Sequence, residues 1–235
     1  MSSEKKWYQN KGVLIFLGVL GAMVLLILIS SIYLVKKVDN FQVRQNPGQL
    51  KNQLVQQLKR QKKYPDPAGA NAQNYSLGAT SSPQVTIVEF SDFECPYSQN
   101  DYSKLRETGI NYGQDVRIIF RDYPATESSL ELSMAANCAG DQGLFWPMHD
   151  KLFQNQGDIN SQDLPRLARQ IGADKNEFQL CMAQNKFQEE IVKDVQAGDN
   201  MNIKGTPTLF INGHKISGDI PHDLLKGIIE GLINR

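Results

Sequence analysis

A cysteine at the boundary between a strand and a helix is the residue best placed to do chemistry in this chain. Cys95 follows the β-branched run Val85–Phe90 and precedes Pro96, which occupies a first-turn position that tolerates proline. The free N–H groups and positive dipole end of a helix N-terminus stabilise thiolate over thiol, which lowers the pKa of a cysteine there and raises its reactivity. The sequence therefore predicts a nucleophilic thiol at Cys95; a buried structural cysteine is the alternative.

Two further cysteines, Cys138 and Cys181, lie in helical sequence. Cysteine parity favours pairing them with each other and leaving Cys95 free. A disulfide between them implies an oxidising compartment, whereas the alternative is two buried free thiols. The three histidines show no metal-ligand spacing with these cysteines, so we expect neither a metal nor another cofactor.

The pattern of apolar residues and glycine breaks predicts the elements that position Cys95. In chain order they are a strand at Val85–Phe90, a helix from Pro96 to about Thr108, a strand at Val116–Phe120, helical sequence from Glu127 to Gly198, strands at Thr208–Ile211 and Lys215–Ser217, and a helix at Pro221–Asn234. The dipeptide Asn212-Gly213 is a strong hairpin signal between the last two strands. The order is therefore β-α-β, an all-helical block, then β-β-α.

Several motifs together resemble the DsbA-like branch of the thioredoxin superfamily. They are Phe-x-Cys-Pro-Tyr at 93–97 between a strand and a helix, Gly-Thr-Pro-Thr-Leu-Phe-Ile-Asn-Gly at 205–213, and a helix containing Phe145, Trp146, His149 and Asp150. The resemblance covers roughly residues 84–235. It implies an α/β thioredoxin fold with an all-helical insertion at about residues 125–200, and protein thiols and disulfides as substrates.

The resemblance also implies roles for residues other than Cys95. In this family the proline matching Pro207 is cis and lies beside the nucleophilic cysteine, where the Thr206 backbone can pair with an extended substrate. From the residues alone, a trans proline that begins a strand is the alternative. Glu89 matches an acidic position on the strand below the cysteine, where a buried carboxylate could relay protons; a surface glutamate at a strand end is the alternative.

The chain departs from the family pattern at the second cysteine. The family carries Cys-Pro-x-Cys, whereas this chain has Cys95, Pro96, Tyr97 and Ser98. Ser98 cannot resolve a mixed disulfide, although its hydroxyl can donate a hydrogen bond to the Cys95 thiolate. We therefore expect monothiol chemistry, either disulfide isomerisation or exchange with a small thiol. The rival hypothesis is a non-catalytic thioredoxin-fold binding or chaperone module that holds extended or unfolded chains.

Charge and hydropathy divide the chain into four segments. The 235 residues carry 25 Lys and Arg against 25 Asp and Glu, a balance that excludes a generally basic nucleic-acid-binding protein. Residues 12–35 carry no charge, and residues 36–63 carry eight Lys and Arg against one Asp. We expect a cytoplasmic tail at 1–11, a transmembrane signal-anchor at 12–35, a basic stalk and linker at 36–83, and the folded domain at 84–235.

The predicted signal-anchor makes this a single-pass protein of the cell membrane. The positive charges on its two flanks are nearly balanced, so the orientation follows from the chemistry of the domain: the N-terminus is cytoplasmic and the C-terminal domain extracytoplasmic. Leu50, Leu54 and Leu58 predict a short amphipathic helix that either lies on anionic lipid or acts as a solvated spacer. The sequence thus predicts a membrane-anchored thiol–disulfide exchange protein, with a membrane or small-thiol redox partner.

Overall fold

The computed structural model describes residues 23–27, 29–31, 55–56, 60, 63–64 and 75–233. The chain divides into two compact units, Met1–Leu50 and Lys51–Arg235. In the first unit, the described residues are helical.

The N-terminal predictions lie wholly or largely outside the described residues. These are the tail at 1–11, the signal-anchor at 12–35 and most of the basic stalk at 36–63. Within the parts of the chain that the structure describes, no helix is long and apolar enough to cross a membrane. The anchor and its orientation therefore stay predictions.

In the second unit, five strands of the described residues form one mixed sheet with the order β1-β3-β2-β4-β5. They are β1 (Ser76–Gly78), β2 (Val85–Ser91), β3 (Val116–Asp122), β4 (Thr208–Ile211) and β5 (His214–Ser217). β2 pairs parallel with β3, and the other neighbouring strands are antiparallel. β2 and β3 are rich in β-branched residues and buried along nearly their whole length, as expected for central strands covered on both faces.

The helices follow the predicted order. They are α1 (Pro96–Asn111), α2 (Glu127–Gly140), α3 (Phe145–Gln154), α4 (Leu164–Gln170), α5 (Lys175–Ala183), α6 (Gln188–Asn200) and α7 (His222–Ile233), with a 3₁₀ turn at Ser161–Asp163 before α4. Helices α2 to α6 form a block inserted between β3 and β4. The structure therefore has the expected thioredoxin-like α/β fold with a helical insertion.

Aromatic packing connects the helical block to the loop that carries Cys95. Phe93, two residues before Cys95, is fully buried. Its ring lies 5.4 Å from that of Phe120 on β3 and 4.9 Å from that of Phe153 on α3. The loop is thus packed between the sheet and the insertion, which fixes the start of α1.

The fold begins before Gln84, so the predicted boundary between linker and domain is wrong. β1 lies inside the predicted linker and pairs with β3 at the edge of the sheet. Just before β1, the Tyr75 carbonyl accepts the N–H of Phe120 at 3.0 Å, and the Tyr75 ring stacks on that of Phe145 at 3.8 Å. A three-residue edge strand is too short to show a period of two, and the surrounding Ala, Asn, Gly and Ser favoured a linker.

A second part of the predicted linker also lies against the domain. The N–H of Tyr64 donates to the carbonyl of Gly213 at 2.9 Å, and the Tyr64 ring lies 5.2 Å from that of Phe210. Gly213 adopts a φ of +82°, and a Cβ there would come within 2.7 Å of the Tyr64 carbonyl oxygen. Glycine is therefore needed both for the hairpin turn and for this close approach.

Candidate active site

Cys95 lies between the end of β2 and the start of α1, as the sequence predicted. Its backbone is extended and occupies the N-cap position of α1, and Pro96 begins the helix. The Cys95 N–H donates to the Asp92 carbonyl at 3.1 Å, and the Cys95 carbonyl accepts the N–H of Gln99 at 3.0 Å. The thiol is half-buried and makes no capping hydrogen bond. It therefore lies at a helix end whose first N–H groups have no intrahelical acceptor.

The loop that contains Thr206 and Pro207 lies beside this thiol. The peptide bond between these two residues is cis, as the resemblance implied. The Cys95 thiol donates a hydrogen bond to the carbonyl oxygen of Thr206, with 3.1 Å between Sγ and oxygen. Pro207 is buried, and the hydroxyl of Thr208 donates to the Gly205 carbonyl at 2.7 Å. The structure thus brings together the two motifs that the sequence keeps 111 positions apart.

Ser98 is fully buried, and the partner of its hydroxyl is Asp92. Its Oγ accepts a long hydrogen bond from the N–H of Asp92, at 3.5 Å. Among the described residues, no hydrogen bond connects Ser98 with Cys95, so the hydrogen bond that its hydroxyl can donate to the sulfur is not made in this arrangement. Tyr97, between them, is 61% exposed beside the thiol.

Asp92 organises the active-site loop and was missed from the sequence. One carboxylate oxygen accepts the N–H of Glu94 at 2.7 Å, and the other accepts the N–H of Ala125 at 2.9 Å. The first contact is a local turn in which an Asp accepts from the residue two positions later, and that signal could have been found. The second contact joins residues 33 positions apart, and no local sequence pattern predicts it.

Two glutamines tie the same loop to the end of α3, and these too were missed. The Nε2 of Gln156 donates to the Phe93 carbonyl at 2.7 Å and to the Cys95 carbonyl at 3.1 Å. In the reverse direction, Nε2 of Gln99 donates to the Phe153 carbonyl at 2.9 Å. The helical insertion therefore fixes the backbone on both sides of the thiol.

Glu89 lies on β2 and is 1% exposed, which rules out the alternative of a surface glutamate. It pairs across the sheet with Leu209, two residues after Pro207. Burial, together with the smaller effect of the nearby Asp101 charge, raises the pKa of Glu89 to about 8. Among the described residues, no group donates a hydrogen bond to its Oε1. Both protonation states of this buried carboxyl are therefore accessible near neutral pH.

Asp101 on α1 is a second buried carboxyl that sequence reasoning did not select. Its Oδ1 lies 2.7 Å from the Nζ of Lys104, which also donates to Asp219 and to the Ile220 carbonyl. Burial raises the pKa of Asp101 to about 7, against the opposite effect of the Lys104 ammonium. The i, i+3 spacing of Asp101 and Lys104 predicts an ion pair, but it does not reveal that the aspartate is fully buried.

Cys138 and Cys181 form a disulfide that joins α2 to α5, with 5.8 Å between their Cα atoms. Both residues are buried in the core of the helical block. The predicted pairing is confirmed, and Cys95 is the free cysteine of the chain.

Comparison with known proteins gives one family and several similar folds. The family model described as "Thioredoxin" matches residues 71–231. Among solved structures, BdbD from Bacillus subtilis is 25% identical, with a TM-score of 0.60, and the alignment covers 69% of this chain and 94% of that one. The thiol-disulfide exchange protein alpha-DsbA2 from Wolbachia pipientis is 18% identical with a TM-score of 0.64, covering 80% and 99%. These matches confirm the resemblance stated from the motifs.

The curated relatives of this chain are named as Na(+)/H(+) antiporters. The chain is 37% identical over 137 residues to the Na(+)/H(+) antiporter NhaA 3 of Salinispora tropica, and 34% identical over 148 residues to NhaA 1 of Salinispora arenicola. These alignments cover 57% and 62% of this chain but only 21% and 22% of the antiporters. The chain therefore spans about a fifth of the length of these relatives.

Proposed function

The chain belongs to the thioredoxin family, and from that premise we propose that it exchanges thiols and disulfides of substrate proteins through Cys95. One observation carries the proposal: the free thiol lies at the N-terminus of α1 and 3.1 Å from the carbonyl that precedes the cis Pro207. The first N–H groups of α1 have no intrahelical acceptor at this position, and the adjacent loop offers backbone groups to an extended substrate.

The proposed reaction uses one enzyme thiol. The Cys95 thiolate attacks one sulfur of a substrate disulfide, a Cys95–substrate disulfide forms, and the second substrate sulfur leaves as a thiolate. Ser98 has no sulfur with which to release the adduct. A second thiol must do so, and it is either the substrate's own cysteine, which gives isomerisation, or a small thiol, which gives exchange. The Cys95 thiolate is regenerated in both cases.

Glu89 is the proposed proton relay. The reaction deprotonates Cys95 before attack and returns a proton to a leaving thiolate. A carboxyl whose pKa is raised to about 8 can accept or donate a proton near neutral pH. Its place on β2, which leads directly to the Cys95 loop, supports this role.

We place the protein in the cell membrane, with its N-terminus cytoplasmic and residues 84–235 outside. The uncharged segment at 12–35 is long enough to span the bilayer. The Cys138–Cys181 disulfide supports an oxidising compartment for the domain. A membrane or small-thiol redox partner then completes the exchange.

A non-catalytic binding module is the second candidate, and Ser98 favours it. A buried serine at the position of the resolving cysteine leaves no thiol on α1 to release an adduct. The same cis-proline loop could then hold extended or unfolded chains without covalent turnover. Both candidates use the same surface, so the reactivity of Cys95 decides between them.

The deciding experiment is capture of a peptide disulfide by the full-length protein. The wild type should form a mixed disulfide that mass spectrometry assigns to Cys95. Cys95→Ala should form none, whereas Ser98→Ala should form as much as the wild type because serine takes no part in the attack. Tight peptide binding without an adduct in the wild type would instead establish the binding module.

A further inference from the structure

The helical block carries an apolar groove between α2, α4 and α5. The groove has a volume of about 550 Å³. Its walls include Leu130 and Met134 of α2, and Phe178 and Met182 of α5. Met134 and Phe178 are buried in the helical core, whereas Leu130 and Met182 are half-buried at its edge. The core of the insertion therefore reaches the surface here.

The disulfide fixes the two walls of this groove relative to each other. Cys138 lies one helical turn after Met134 on α2, and Cys181 is next to Met182 on α5. Because the bond joins the walls covalently, the groove keeps its shape without a ligand. A preformed site reduces the ordering cost of binding.

One end of the groove adjoins the candidate active site. The hydroxyl of Thr126, the N-cap of α2, donates to the Glu94 carboxylate at 2.6 Å, and Glu94 immediately precedes Cys95. One face of α2 then lines the groove through residues spaced i, i+3, i+4 and i+7: Glu127, Leu130, Glu131 and Met134. At a rise of ~1.5 Å per residue, this face leads about 10 Å away from the active-site loop.

The charged side chains at the groove are acidic. Glu127 is exposed, Glu131 is half-buried, and Glu94 is exposed at the end near Cys95. The Ser161 hydroxyl donates to Glu131 at 2.5 Å, which orients that carboxylate without neutralising it. None of the described residues that line the groove is a Lys or Arg. A ligand that carries a cation beside an apolar side chain complements both features.

We propose that this groove holds an extended segment of the substrate protein near the reacting disulfide and selects an apolar side chain next to a Lys or Arg. The inference rests on the proposed exchange at Cys95 and adds the substrate class to it. An extended chain advances ~3.3 Å per residue, so the selected pair lies about three to six residues from the substrate cysteine.

The probe is a peptide whose cysteine is joined to 2-nitro-5-thiobenzoate by a disulfide. When the Cys95 thiolate attacks the peptide sulfur, the Cys95–peptide disulfide forms, the old disulfide breaks, and nitrothiobenzoate leaves as a coloured anion with the electron pair. Three peptides differ only at a pair of positions about five residues from the cysteine, a spacing set by the extended rise. The pair is Leu-Lys, Leu-Glu or Ser-Lys.

The full-length protein in non-ionic detergent should react with the Leu-Lys peptide about fivefold faster than with the Leu-Glu peptide at low salt, and the difference should shrink at high salt. The Ser-Lys peptide should react about threefold more slowly than the Leu-Lys peptide because it buries less apolar surface. Glu127→Gln/Glu131→Gln should lose the charge preference. Glu107→Gln, which removes an exposed carboxylate outside the groove, should keep it.

Hydroxyethyl disulfide separates this inference from the proposed function, because it is small, neutral and too short to reach the groove. Equal reaction of wild type and Glu127→Gln/Glu131→Gln with it, together with a lost peptide preference in the variant, supports the groove. A variant that keeps the full preference, or a wild type without one, overturns the groove but leaves exchange intact. A wild type that does not react with hydroxyethyl disulfide overturns the proposed function, and this inference with it.

Discussion

The sulfur of Cys95 lies 3.1 Å from the carbonyl oxygen of Thr206, the residue whose peptide bond to Pro207 is cis. Cys95 follows β2, and Thr206 precedes β4. Because β2 and β4 are antiparallel neighbours, the end of one and the start of the other meet at the same edge of the sheet. The pairing of β2 with β4 therefore brings the Cys95 sulfur to the Thr206 carbonyl. A substrate that reacts with the sulfur must replace this hydrogen bond.

A membrane-impermeant maleimide should label Cys95 in intact cells. The other two cysteines of the chain are joined to each other, so a single half-buried thiol is available for reaction. Labelling from outside is expected because we place the domain outside the membrane. Mass spectrometry of the purified protein measures the label, and Cys95→Ala should show none. Labelling only after lysis would contradict the proposed orientation.

The free energy of unfolding of the wild type should fall as pH rises, and Glu89→Gln should make this fall smaller. Burial raises the pKa of Glu89 from 4.5 to about 8, so the folded state prefers the protonated carboxyl. The wild-type free energy of unfolding should therefore fall between about pH 4.5 and pH 8, by up to roughly 5 kcal/mol from this group. The variant should match the wild type near pH 4 and exceed it at pH 8 in urea unfolding.

Two other buried carboxyls also have raised pKa values, so the stability of Glu89→Gln should not become independent of pH. Burial raises the pKa of Asp101 and of Asp122 to about 7, so the variant should still lose some stability across this range. Glu107→Gln, at an exposed position, should follow the wild-type curve. Equal slopes for wild type and Glu89→Gln between pH 5 and pH 8 would show that Glu89 does not titrate there.

The order of the elements after β1 could be predicted because each of them has a local signal. β2 is a β-branched run, Pro96 begins α1, and Asn212-Gly213 closes the β4–β5 hairpin. The pairing of Cys138 with Cys181 required only parity and helical context. The cis bond before Pro207 was implied by the family resemblance, and local sequence alone would have favoured trans.

The missed features depend on long-range contacts. The Gln156 bond to Phe93 spans 63 residues, and Tyr75 stacks on Phe145 from within a segment of loop-like composition. Neither contact has a periodic or motif signature. The burial of Asp101 was missed for a related reason, because a charged residue on a helix is ordinarily at the surface. All three features depend on tertiary packing, which a local sequence pattern does not show.

Cys138→Ala/Cys181→Ala should destabilise the domain. The disulfide closes a loop across a sequence separation of 43 residues. On the chain-entropy model such a loop contributes roughly 4 kcal/mol, and the loss of buried sulfur contacts adds to the effect. Chemical unfolding under non-reducing conditions measures it, with Cys95→Ala expected to resemble the wild type. An unchanged unfolding midpoint in the double variant would contradict a stabilising role.

Ser98→Cys should convert a lasting mixed disulfide into a transient one. Ser98 follows Cys95 by three residues and is fully buried in the first turn of α1, so a thiol there lies on the same side of the helix. That thiol can attack the Cys95–substrate disulfide, close a disulfide with Cys95 and release the substrate thiol. Non-reducing electrophoresis over time should show the adduct decaying in Ser98→Cys and persisting in Ser98→Ala. Equal persistence in both variants would mean that a thiol at position 98 does not reach the Cys95–substrate disulfide, which would contradict thioredoxin-type geometry at this site.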